Sequence, residues 1–197
     1  MTQGKAAGDR TGGGTAPENA LLILEVAQDD PRWDPLVDHL RLVADVAYRH
    51  LKSKQTAELS LLLSNDVRLA ELNKTYRGKQ GPTNVLAFPP PPSDSSMADP
   101  SVAGSSVVNK GAQGAAFLGD IAMAYDTLMA EAAAQGKTVE DHSAHLLVHG
   151  LLHLRGYDHQ TDQQARTMEN KERDILAALN IADPYGQEQS ICGAEHG

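Results

Sequence analysis

The chain has 197 residues, enough for one domain with a proper core, and its 26 acidic against 17 basic residues leave a formal net charge of −9, a field that repels phosphates and excludes a general nucleic-acid coat. A single cysteine, Cys192, rules out an intrachain disulfide and a thiolate metal cluster and favours a reducing compartment. The longest apolar runs, such as Leu21 to Leu24 and Leu59 to Leu63, are too short to span a bilayer, and no apolar h-region precedes Ala20, so a cytoplasmic protein without membrane attachment is expected.

Residues 1–19 are small, polar and aperiodic, with Gly12-Gly13-Gly14 among them, and read as a disordered tail. Ala20 to Val26 predicts a strand. Asp34-Pro35 then reads as an N-cap with proline at the first helical position, opening a helix to about Lys52 through Leu36, Val37, Leu40, Val43, Ala47 and Leu51. Glu58 to Ser64 is mostly apolar and predicts a central strand. Asn65 or Asp66 caps a helix to about Tyr76, with Val67, Leu69 or Ala70, and Leu72 or Asn73 turned inward.

Thr83 to Phe88 predicts a third strand, closed by Pro89. The Pro/Ser/Gly-rich stretch at about 90–115 reads as a flexible insertion, and Phe117 to Ala124 as a fourth strand able to pair antiparallel with the third. Asp126 to Ala134 is helical by pattern. Thr138, with Asp141 three residues on, opens a helix to about Leu154. Thr161 and Gln164 form a capping box for the last helix, with Ala165, Met168, Ile175 and Leu179 facing the core. Strands interspersed with helices, without regular alternation, predict an α+β domain over residues 20–180. Its core is a small mixed sheet of about four strands packed with helices, and a C-terminal tail follows at 181–197.

The most informative stretch is His149-Gly-Leu-Leu-His153-Leu-Arg-Gly-Tyr-Asp-His159. His149 and His153 project from one helix face a turn apart, and Gly156 lets the chain fold back so that His159 approaches from the side. Three neutral imidazoles on one point form the donor set of a catalytic zinc-type site, with a fourth position open to water. Leu146, Leu147, Leu151, Leu152 and Leu154 already supply the buried side of the helix. His145 lies about 12 Å from His153 along the helix and cannot share an ion with it, which makes it a core residue or a support behind the site. A zinc protease would carry Glu directly after the first histidine, where this chain has Gly150, and a nucleobase deaminase needs a cysteine pair. Hydrolysis of an ester or phosphodiester by metal-activated water fits the set.

The segment His145-Leu-Leu-Val-His149-Gly-Leu-Leu-His153-Leu-Arg-Gly-Tyr-Asp-His159 closely resembles the signature of the YbeY family, metal-dependent endoribonucleases of ribosomal RNA maturation. Leu72-Asn-Lys-Thr-Tyr-Arg77-Gly-Lys with Pro82-Thr83-Asn84-Val85-Leu86-Ala87-Phe88-Pro89, and Leu118-Gly119-Asp120-Ile121, match in the same order, except that Ala87 stands where many relatives have serine. The resemblance implies a metal, usually zinc, held by His149, His153 and His159, with Arg77 facing the cleft as a phosphate clamp. It implies single-stranded RNA as substrate, and ribosomal or small-subunit proteins rather than DNA as partners. The window Arg49 to Lys79 carries seven basic and three acidic residues, which suits that role; Lys74 and Lys79 are candidate phosphate contacts. Asp120 and Asp158 are candidates to orient an imidazole, and Thr83 and Asn84 to line the cleft. Two rival readings stay open. One is a metal-dependent hydrolase acting on another substrate. The other is a non-enzymatic ribosome-assembly factor with a structural metal, which would need His145 or Asp158 as fourth ligand.

Overall fold

The first described helical segment starts earlier than the Asp34-Pro35 pattern predicts. In the structure, a computed structural model that describes residues 21–53, 55–90 and 115–186, strand β1 spans Leu22–Gln28 and is followed by a 3-10 turn at Pro31–Leu36. The cap is Asp30, whose carboxylate accepts from the Arg32 amide at 3.0 Å, and Pro31 takes the first position. The start expected at Asp34-Pro35 is therefore four residues late. Pro35 lies inside the turn, where its missing N–H and its ring oppose a regular α-helix, so helix α1 begins only at Val37 and runs to His50. Trp33 pins this entry, fully buried with its indole donating to the Ser64 carbonyl at 2.9 Å and its edge on Tyr125.

Strand β2 (Ala57–Ser64) is central, as its apolar run predicts. Helix α2 (Asp66–Arg77) is capped by Asn65 and ends at Gly78 in a left-handed conformation. It buries Leu69 and Asn73, whereas Val67, expected inward, is 71% exposed. Strands β3 (Val85–Phe88) and β4 (Ala116–Ala124) pair antiparallel, with Phe88 opposite Asp120, as expected. Helices α3 (Tyr125–Ala134), α4 (Val139–Leu154) and α5 (Asp162–Ala178) complete the order. The sheet runs β1-β2-β4-β3, with β1, β2 and β4 parallel and β3 reversed at one edge, which makes this an α+β fold with a four-stranded mixed sheet. The expected tail at 1–19, most of the 90–115 insertion and the last part of the tail, 187–197, lie outside the described residues. Among the described residues, no helix is long and apolar enough to cross a membrane.

Side-chain alternation divides the sheet. Leu59, Leu61, Leu63, Ile121 and Met123 face α1 and α4, whereas Leu86, Ala122 and Ala124 pack with Leu69 of α2. The register between β2 and β4 shifts after Phe117, leaving Leu118 as the extra residue of a bulge. Gly119 makes the bulge feasible. Its φ is +126°, and a Cβ there would stand 2.2 Å from the Phe88 carbonyl oxygen and 3.0 Å from a Leu154 methyl. The backbone of β4 thus closes directly on β3 and on the end of the histidine helix.

Candidate metal centre

Helix α4 is buried over most of its surface, and only a narrow rim carries His149 and His153. Thr138 starts it, accepting from the Asp141 amide at 3.0 Å. Gly150, in the position a zinc protease gives to its general base, faces the sheet. A Cβ there would lie 3.1 Å from Ile121 Cδ1, so no carboxylate fits in that direction. At the other end, Gly156 adopts φ +84°; its amide donates to the His153 carbonyl and the Tyr157 amide to the Leu152 carbonyl, both at 3.0 Å. This is a Schellman closure, and it turns the chain sharply enough to bring His159 back over the helix.

The three expected rings meet. One candidate ligand nitrogen from each of His149, His153 and His159 lies within 4.8 Å of the others, and this is the one such cluster among the described residues. Neither His145 nor Asp158 belongs to it. Asp158 instead accepts from the backbone amide of His159 at 2.8 Å and serves the turn. Asp120 does not orient an imidazole either. Its neighbour Ile121 points at α4, so alternation sends Asp120 to the opposite face, beside its ladder partner Ser60, where partial burial pushes its carboxyl up.

The partners of the rings determine what they can bind. His153 Nδ1 lies 3.1 Å from the Tyr157 carbonyl oxygen, which can only accept, so Nδ1 carries the proton. His149 Nδ1 lies 2.8 Å from Glu172 Oε1. Burial opposes ionisation of Glu172, yet hydrogen bonds from His145, His149 and Tyr185 outweigh it and take the carboxyl down to about 2. An ionised carboxylate only accepts, so His149 is also protonated at Nδ1. Both Nε2 atoms then present lone pairs, and these face each other at 3.0 Å. Two lone pairs so close repel unless a cation or a proton lies between them. A tetrahedral ion bonded at about 2.0–2.1 Å spaces its ligand nitrogens by about 3.3 Å, which the pair already approaches. Desolvation, reinforced by the neighbouring His149 and His159 rings, holds His153 below the usual imidazole value and keeps it neutral, as metal ligation requires. The donor set therefore fits a divalent ion.

Glu172 belongs to the site although no sequence motif marks it. It is fully buried on α5, holds His149 through Oε1, and lies within reach of His145 (3.4 Å) and the Tyr185 hydroxyl through Oε2. Tyr185 belongs to the segment beyond Asn180. That segment folds back because Asn180 takes a left-handed conformation, Asp183 accepts from Arg173 at 3.2 Å, and Arg173 sits 4.8 Å over the Tyr185 ring. His145 thus stands behind the site rather than in it. A cavity of about 320 Å³ opens beside His149 and His159 on the α5 side, lined by Ala165, Met168, Glu169, Glu172 and Tyr185 and not by His153 or Arg77. Replacing Glu172 with glutamine keeps the shape but turns an amide N–H₂ towards groups that donate. Zinc affinity, read by competition with a chromogenic chelator, is expected to fall by about 10–100-fold. An unchanged affinity would show that His149 is not oriented through this carboxylate.

Arg77 ends α2 and is exposed. Its guanidinium donates to the Ala87 carbonyl at 3.4 Å, on the strand that packs against α4, and Ala87 pairs with Ile121, the residue beneath Gly150. Lys74 and Lys79 are exposed on the same terminus. Asn84 is absorbed in structure: its amide donates to Glu131 at 2.9 Å and its oxygen accepts from Val85, fixing the entry to β3.

A family model described as Endoribonuclease YbeY matches residues 26–180. The Endoribonuclease YbeY of Parvibaculum lavamentivorans is 43% identical over 166 residues, covering 84% of this chain and 85% of that protein. Those of Paracoccus denitrificans and Ruegeria pomeroyi are 40% and 42% identical, over 86% and 85% of this chain and 94% and 100% of theirs. With alignments spanning nearly the whole described domain, this chain belongs to the YbeY endoribonuclease family.

Proposed function

We propose that the protein is a metal-dependent endoribonuclease that cuts single-stranded RNA during ribosomal RNA maturation in the cytoplasm. The observation that carries the reading is the pair of Nε2 lone pairs facing each other at 3.0 Å, with His159 closing the set. When bound, a divalent ion, zinc first among candidates, supplies Lewis acidity and an activated water. His149 and His153 present their Nε2 atoms because Glu172 and the Tyr157 carbonyl occupy their other nitrogens. His159, exposed on the turn, adds the third donor and leaves the solvent side open. Arg77 grips the scissile phosphate from the β3 side and offsets the charge that builds as phosphorus is attacked. The family relatives are named endoribonucleases, which supports RNA over a small phosphoester or a peptide as the substrate.

The test is cleavage of purified single-stranded ribosomal RNA by metal-loaded and chelated protein. Loaded protein is expected to cut internally and chelated protein to be inactive until zinc is restored. Equal cutting in both states would end the metal mechanism, and hydrolysis of small phosphoesters with no cutting of RNA would redirect the substrate. Fragment ends lacking a 2′,3′-cyclic phosphate are expected; a cyclic end would replace water with the RNA's own 2′-hydroxyl as nucleophile.

A further inference from the structure

The last turn of α2 carries an exposed aromatic ring that the metal centre does not use. Tyr76 is 55% exposed, and its ring rests on Phe88 with centroids 5.1 Å apart and planes tilted by 60°. The next residue, Arg77, reaches the carbonyl of Ala87. Two consecutive residues of the helix thus clasp two consecutive residues of β3. Phe88 is anchored in turn, packed on the small core of Leu69, Leu86, Ala122 and Ala124. Tyr76 therefore lies on a fixed support.

The charge around the ring is as distinctive as its exposure. Lys74, Arg77 and Lys79 are all exposed on the same terminus. Along the chain no acidic residue lies between Glu71 and Asp94, against a net charge of −9 for the whole; across the ladder Phe88 faces Asp120, whose carboxyl is pushed towards its neutral form by partial burial. An exposed aromatic ring among cations, within an otherwise acidic molecule, matches a strand whose phosphates are anionic and whose bases offer flat faces.

We propose that Tyr76, backed by Phe88, is a stacking platform for an unpaired base of the RNA, next to the phosphate gripped by Arg77. This rests on the reading of the site as an RNA-cleaving centre and adds to it a physical basis for single-strand preference. A base within a duplex has both faces covered by its neighbours, whereas a single strand can splay a base onto the ring. Cations on both sides of the ring in sequence then track the backbone to either side of that base.

The test separates binding from cutting. In the full-length Tyr76→Trp protein, the added indole is the exposed fluorophore, because the native Trp33 is buried. With the protein kept metal-free so that no strand is cut, a single-stranded oligoribonucleotide should quench that emission saturably, and the same sequence as a duplex should not. Tyr76→Leu, which keeps an apolar side chain on Phe88, should weaken oligonucleotide binding by about 5- to 100-fold and raise KM in the metal-loaded enzyme, with Tyr76→Phe recovering the loss. An unquenched indole, or Tyr76→Leu binding as tightly as the parent, overturns the platform. The two readings fail separately. Quenching by a protein that never cuts RNA upholds the platform and removes the nuclease, while cutting without quenching does the reverse.

Discussion

His153→Ala is expected to reduce RNA cleavage to background, a loss of about 10³-fold or more, because it removes one of three donors and with it several kcal/mol of Lewis-acid stabilisation. Bound zinc should drop from one equivalent per chain to none after gel filtration. His153 Nδ1 also donates to the Tyr157 carbonyl and so helps hold the turn behind Gly156. The exposed His159 provides the control. His159→Ala removes a ligand without opening the core and should lose zinc and cleavage while melting close to the parent temperature. Cleavage retained by both variants would show that the rings do not serve the reaction.

Arg77→Ala is expected to lower kcat by about 10²–10³-fold, the usual cost of deleting one preorganised group from a developing charge, with zinc content and melting temperature unchanged. The side chain is exposed and, among the described residues, its one hydrogen-bond partner is the Ala87 carbonyl, so the described fold has little stake in it. Arg77→Lys should recover only part of the loss, because an ammonium keeps the charge but not the bidentate fork. If Arg77→Ala cuts RNA at the parental rate, the phosphate is held elsewhere.

The parts of this molecule that were legible in the sequence are those fixed locally. A helical pair of histidines followed by a glycine turn determines its own geometry, and the Thr161–Gln164 capping box and the β3–β4 pairing are likewise set by neighbouring residues. The structure departs from the sequence pattern where tertiary packing chooses among local options. Asp30-Pro31 and Asp34-Pro35 are both valid cap signals, and burial of Trp33 against Ser64 favours the first. Val67 fits the inward stripe of α2 in isolation, yet of the residues expected there the helix buries Leu69, on the sheet, and Asn73, whose amide donates to the Gly81 carbonyl, and leaves Val67 to solvent. Asp120 fails as an orienting carboxylate because the strand alternates, and the face it occupies is settled only by what Ile121 packs on.

Glu172 was hidden by its company. Glu169, Lys171, Arg173 and Asp174 surround it in sequence and read as a solvated helix face. One signal existed: Glu172 follows Met168 by four residues and precedes Ile175 and Leu176, which puts an acid squarely within the apolar stripe of α5. A carboxylate in that position needs polar partners, and His149, His145 and Tyr185 supply them. Tyr185 gave no such sign, because its approach depends on the left-handed turn at Asn180 and on the Arg173–Asp183 pair.

In the proposed site the three imidazoles hold one ion, His149 and His153 through Nε2, and leave a corner open. Anomalous diffraction at the zinc edge from crystals of the zinc-loaded protein tests it directly. The expected result is a single peak about 2.0–2.1 Å from Nε2 of His149, Nε2 of His153 and one ring nitrogen of His159, with solvent rather than a fourth side chain at the remaining position. A peak elsewhere, rings turned away from one another, or a protein group sealing the fourth position would contradict it.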